Sequence, residues 1–188
     1  MSRLEDLARL EDKRIKKLKL LLLGIMLSAD DEKELIFKIK RSTSALVDEI
    51  KDIRKASFAV ADKYSIETHR ADESNRQLVI ISASLYMLSI MAKRVAVSDK
   101  EKFEQKAKEA IVLSLPLIER LVATELYESN MRKMVVNNKE ATFKWNAYND
   151  KRTCDICSAL DGNTYKAADL PDYPHPNCRC IAEIVSNQ

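Results

Sequence analysis

A chain of 188 residues of which 46% are hydrophobic can fill a core, which excludes general disorder. Two glycines and four prolines are too few for the tight turns of an all-β fold, so long helices are expected over most of the length. The 32 basic and 29 acidic residues leave a formal net charge of +3, a balance that suits solvated helix faces better than a dedicated nucleic-acid surface.

From Ser2 to about Leu27, leucines at positions 4, 7, 10, 18 and 21 follow helical spacing. The run LKLLLLGIML (Leu18–Leu27) is about half the roughly 20 residues that a membrane span needs. It follows KRIKK, as the apolar core of a signal peptide would, but it comes after an acidic, helix-like start. The expectation is a buried or subunit-facing helix, no membrane, and a reducing compartment in which disulfides are disfavoured.

Ser28-Ala29-Asp30-Asp31 breaks the apolar run and offers caps for a second helix. That helix carries Leu35, Ile39, Leu46, Ile50 and Ile53 on one face, and a third carries Leu78, Ile81, Leu85 and Leu88. The polar stretch Ser65–Ser74, which holds His69, lies between them. A further start is expected at Ser98 or Asp99, with helix through Phe103, Ala107 and Ile111. Pro116 predicts a break, with a new helix starting near Ser114 and ending near Asn137-Asn138.

After Asn138 the pattern changes. ATFKWNAYND (Ala141–Asp150) alternates in strand fashion around the single tryptophan, Asp161-Gly162-Asn163 reads as a turn, and CIAEIV (Cys180–Val185) reads as a second strand. The predicted architecture is mainly α. A long-helix region covers residues 1–138, and a small α/β zinc-knuckle-like module covers residues 139–188.

All four cysteines fall in that module. Cys154 and Cys157 form a C-x-x-C, and after an intervening loop His175, Cys178 and Cys180 form H-x-x-C-x-C. A C-x-x-C turn lets two thiolates converge on one ion at about 2.3 Å, and a second short group completes a tetrahedron. Structural Zn2+ is the expected cofactor, because thiolate with imidazole in tetrahedral geometry favours it. Four of the five donors are expected to bind, and which four stays open. Protein groups alone fill such a site, which disfavours hydrolytic metal chemistry. Two disulfides, a redox C-x-x-C or a Cys–His catalytic pair fit the compartment and the spacing less well. Lys151, Arg152 and Arg179 flank the cluster and are candidate contacts for DNA or an acidic partner. No glycine-rich phosphate loop, G-x-S-x-G or H-E-x-x-H is present, so no catalytic residue is assigned and an enzyme is not expected.

Trp145–Tyr165, W-N-A-Y-N-D-K-R-T-C-D-I-C-S-A-L-D-G-N-T-Y, followed by Y-P-H-P-N-C-R-C at Tyr173–Cys180, resembles the terminal signature of the phage Mu F-type minor head proteins, the phage head morphogenesis domain. A-T-E-L-Y-E-S-N (Ala123–Asn130) is similar to that family's upstream helix, so the likeness covers roughly residues 115–185. The resemblance implies a minor capsid protein of a tailed bacteriophage. It would be made in the host cytoplasm and carried in a few copies inside the head, associated with the portal protein or the major capsid protein. Some family members bind the genome or leave with it, so a role in packaging or DNA ejection is implied too. Many relatives have a longer N-terminal region and some carry fused toxin domains, of which no motif is seen here. The rival readings are a nuclease or toxin-like transferase, and a sequence-tolerant DNA-binding zinc knuckle.

Overall fold

The computed structural model describes residues 2–29, 32–68, 100–175 and 178–187. The fold is mainly helical, with a small antiparallel sheet toward the C-terminus. Helix α1 spans Arg3–Leu27 and α2 spans Glu32–Lys63, on either side of the Ser28–Asp31 break that the sequence predicts, of which Asp30 and Asp31 lie outside the described residues. The third leucine-striped helix, His69 and the Ser98–Asp99 cap lie outside the described residues. Helix α3 runs Lys100–Ala123, a π-helical turn covers Thr124–Glu128, and α4 covers Ser129–Asn137. Then come strand β1 (Ala141–Asn146), helix α5 (Asp155–Leu160), strand β2 (Thr164–Lys166), a 3-10 turn (Ala167–Asp169) and strand β3 (Ile181–Asn187). Among the described residues no helix is long and apolar enough to cross a membrane.

Contacts group the chain into two compact units. One contains residues 13–52 and, of the later described residues, 100–119. Its helices bury the faces that periodicity picks out: Leu18, Leu22, Ile25 and Met26 from α1, Leu35, Ile39, Leu46 and Ile50 from α2, Ala110, Ile111 and Ile118 from α3. The buried Glu49 carboxylate is held by Arg14 at 3.0 Å and by Lys17. Pro116 does not break α3, contrary to the sequence expectation. The helix runs through it, with the proline exposed and the Ser114 hydroxyl donating to the Ala110 carbonyl at 2.7 Å. Losing one helical hydrogen bond on the solvent side is outweighed by keeping Ile111 and Ile118 on a single buried stripe.

The other unit contains residues 2–12, 53–68 and 120–187. Its sheet has the order β2-β1-β3, with both pairings antiparallel. Ala141, Phe143 and Trp145 point inward from β1, while Thr142, Lys144 and Asn146 alternate outward. The strand ends four residues before the sequence pattern suggests. The Ala147 N–H turns to the Asp161 carboxylate at 2.8 Å, and Asn149 adopts a positive φ of 54°. Gly162 closes the return at φ +79°, the left-handed region that glycine enters without strain. The Asn149 side-chain amide also donates to Asp161, at 3.1 Å, and the two donors, Ala147 N–H first and the Asn149 amide second, hold the Asp161 carboxyl below its usual range. Trp145, Phe143, Met131 and Met134 supply most of the apolar mass of the core, together with small alanines and the cysteines.

The π turn gives this unit its buried polar contacts. It brings Glu125, Leu126 and Tyr127 all inside. Arg54 of α2 grips the Glu125 carboxylate through Nε at 3.3 Å and Nη2 at 3.1 Å, and the Ser57 hydroxyl donates to the Leu126 carbonyl at 2.6 Å. Removing one member of a buried ion pair strands the other charge. Glu125→Ala is therefore expected to lower unfolding free energy by about 3 kcal/mol, whereas the apolar double variant Arg54→Met, Glu125→Leu recovers most of that loss. Urea denaturation measures both. An equal loss in the single and double variants would show that the charges do not depend on each other.

Candidate metal centre

The cluster is built on a capped helix start. Cys154 is the N-cap of α5, in extended backbone, and its sulfur accepts the Cys157 N–H at 3.5 Å. The same device recurs in the C-x-C, where the Cys178 sulfur accepts the Cys180 N–H at 3.4 Å. Such N–H to sulfur bonds stabilise thiolate over thiol. Between these two turns, the hydroxyl of Tyr173 donates to the Cys178 carbonyl and fixes the loop.

All five predicted donors come together. His175 Nε2 lies 3.1 Å from Cys154 Sγ and 3.3 Å from Cys157 Sγ, and Cys157 Sγ lies 3.5 Å from Cys178 Sγ. The donors form two overlapping groups, Cys154–Cys157–His175 and Cys157–Cys178–Cys180, each with its ligand atoms within 4.8 Å of one another. Cys157 is common to both. An ion held tetrahedrally by thiolate at about 2.3 Å and imidazole at about 2.0 Å would space adjacent donors about 3.5–3.8 Å apart. The observed contacts are a few tenths of an ångström tighter, so a slight expansion admits the ion. The four cysteines are free thiols, none of them in a disulfide.

The electrostatics of the cluster fit a cation. Cys154 is shifted down, first by the backbone N–H of Cys157. Cys178 is shifted down to about 6, chiefly by the hydrogen bond from the Cys180 side chain. Cys157 is pushed up to about 12 by burial, and Cys180 is raised by its bond to Cys178 and then by burial. Left alone, the pocket accepts some sulfur anions at the expense of their neighbours. A soft divalent ion would let them all ionise together.

The three flanking basic residues differ in their surroundings. Lys151 is exposed. Arg152 pairs with Glu11 of α1 at 2.7 Å. Arg179, between the two C-x-C cysteines, ion-pairs with Asp150, stands 3.9 Å over the Tyr148 ring, and lies 3.8 Å from the same Glu11. Tyr127 of the π turn also donates to Glu11, at 3.0 Å. Sequence reasoning missed Glu11, which in RLEDLARLED looks like any solvated helix charge. The missed signal was the apolar set Leu4, Leu7 and Leu10, which turns Glu11 toward the same side as Leu7.

Glu11 thus joins the C-x-x-C side, the C-x-C side and the helix beneath them. Glu11→Ala is expected to take from Arg152 its carboxylate partner, to leave Arg179 on Asp150 alone, and to raise amide hydrogen exchange over residues 3–12 by at least tenfold, read by mass spectrometry. Unchanged exchange there would mean that α1 is held without the carboxylate. The sequence pattern of the family described as Phage Mu protein F like protein matches residues 90–183. No curated protein and no solved structure matches the chain. The matched stretch takes in half of the 188 residues, from before α3 to within β3, and encloses the whole donor cluster, so the chain belongs to the Phage Mu protein F like family of phage head proteins.

Proposed function

We propose that the chain is a structural minor head protein of a tailed phage, located inside the capsid on the portal or the major capsid protein, and that one Zn2+ ion holds its C-terminal module. The observation that carries this reading is the overlap of the family match with the donor cluster: residues 90–183 contain Cys154, Cys157, His175, Cys178 and Cys180 in contact. Five protein donors for four positions leave no place for a reactive water, which supports a structural rather than a hydrolytic ion. Arg152 and Arg179 are engaged by carboxylates of the same unit, so the reading rests on protein partners more than on DNA. A role in packaging or ejection would follow from the portal location.

The metal half is tested by elemental analysis. About one zinc per chain is expected, and Cys157→Ser should lose it, because Cys157 belongs to both donor groups. Zinc retained in Cys157→Ser, or none in the native protein, would overturn it. The location half is tested by coexpression with the portal protein of the same phage and by quantifying the chain in purified virions. Joint purification with the portal, with a few copies per particle, is expected. A chain found only in the lysate and never in particles would exclude a virion component.

A further inference from the structure

A groove of about 390 Å3 is lined by the start of α1, the outward side of β1, the first residues of β3 and the Asp161–Gly162 turn. No cysteine or histidine lines it, so it is separate from the donor cluster. Leu4 and Ile181 give it apolar surface, and Asp161 and Glu183 bring two carboxylates.

These two differ from the carboxylates that tie elements of their unit together. Asp6 is paired with Lys63, Glu11 with Arg152, Asp62 with Lys133 and Glu125 with Arg54. Asp161 and Glu183 are held by neutral donors instead. The Ala147 N–H and the Asn149 amide donate to Asp161, and the Asn146 amide donates to Glu183 at 2.6 Å. Among the described residues neither carboxylate has a basic group at ion-pair distance. Lys144 faces Glu183 in the strand register without pairing with it, and the Arg3 guanidinium donates to the Ala182 carbonyl. Neutral donors fix the orientation of a carboxylate and leave its charge uncompensated. The Asn146 and Asn149 side-chain oxygens add further acceptors with no described donor.

This chemistry selects among ligands. Neither carboxylate belongs to a group of donors close enough to chelate one ion, which disfavours a metal. An anion would be repelled by both. A long cationic side chain fits, because its aliphatic stem can lie on Leu4 and Ile181 while its head reaches the acceptors. Several acceptors set apart favour a guanidinium, whose five N–H donors fan out in a plane, over a compact ammonium. The groove is open to solvent, so it admits a side chain still attached to another protein, whereas a free small molecule would keep much of its surface uncovered.

We propose that this groove receives an arginine side chain of a partner protein, its stem against Leu4 and Ile181 and its guanidinium between Asp161 and Glu183. Lys144, exposed at the same groove, opposes the incoming charge and so supplies a control. The site does not depend on the metal reading, and loss of either leaves the other standing.

The full isotope-labelled chain is titrated with acetyl-Gly-Arg-Gly-amide, and amide shifts are followed by NMR. The citrulline peptide serves as the neutral isostere and agmatine as a free guanidinium. Saturable shifts are expected at residues 144–149, 161–162 and 181–183. The citrulline peptide should bind about fivefold more weakly, and Glu183→Gln, which keeps an acceptor for Asn146, should weaken the arginine peptide about fivefold, whereas Lys144→Gln should tighten it about twofold. Absence of saturable shifts at these residues, equal binding of citrulline, undiminished binding in Glu183→Gln or weaker binding in Lys144→Gln would each overturn the site. Agmatine binding more tightly than the peptide would assign the groove to a free small cation and overturn the protein partner.

Discussion

The C-terminal module depends on the convergence of donor atoms around Cys157. Apart from Trp145, Phe143 and two methionines, its buried core is made largely of alanines and cysteines, which bury little area each. Strand β2 has only three residues, and the stretch from the 3-10 turn to β3 has no regular structure among the described residues. Burial alone gives such a loop a weak hold. What ties it to α5 is the contact of His175 and Cys178 with Cys154 and Cys157. Small modules of this kind commonly gain folding free energy from an ion that only the folded chain can chelate.

Charge around the cluster follows from that chemistry. Several thiolates around one divalent ion would carry net negative charge, and two guanidiniums stand beside the cysteines, Arg152 before the C-x-x-C and Arg179 inside the C-x-C. Free guanidiniums would be costly in a half-buried setting. Glu11 and Asp150 neutralise them, and the Tyr148 ring supports the plane of Arg179. With an ion bound, the thiolates would face the guanidiniums, and the guanidiniums are in turn offset by the carboxylates, of which Glu11 is buried.

The sequence showed these features unevenly, and the reason is the range of the interactions. Helical stripes are local, so Leu35, Ile39, Leu46, Ile50 and Ile53 were recognisable as one buried face, and all are buried. The C-x-x-C and H-x-x-C-x-C groups are local too, and the chemistry of their side chains foretold that they would meet. The α3 helix was misread at Pro116 because a local steric rule was overridden by packing farther along the same helix. The π turn left no local trace, since one extra residue in a turn changes no residue type. Strand β2 was missed because its exposed–intermediate–exposed residues carry no apolar alternation and form a strand only by pairing with β1. Glu11 was missed because its partners lie 116 and 141 positions away.

That long separation bears on how the family segment is completed in this chain. The match covers residues 90–183, which include Tyr127, Arg152 and Arg179 but not Glu11. The π turn presents Tyr127 to the same carboxylate that receives Arg152, so the helix and the cysteine module are matched to each other through an acceptor that neither supplies. A carboxylate must come from elsewhere, and here the first helix provides it at Glu11, with Arg3 of the same helix donating to the Ala182 carbonyl on β3. The N-terminal residues of α1 are therefore part of the architecture of the module, not a separate attachment. A charged residue near the start of the chain and a cysteine cluster near its end act as one structural element because the same buried carboxylate neutralises both arms of the cluster.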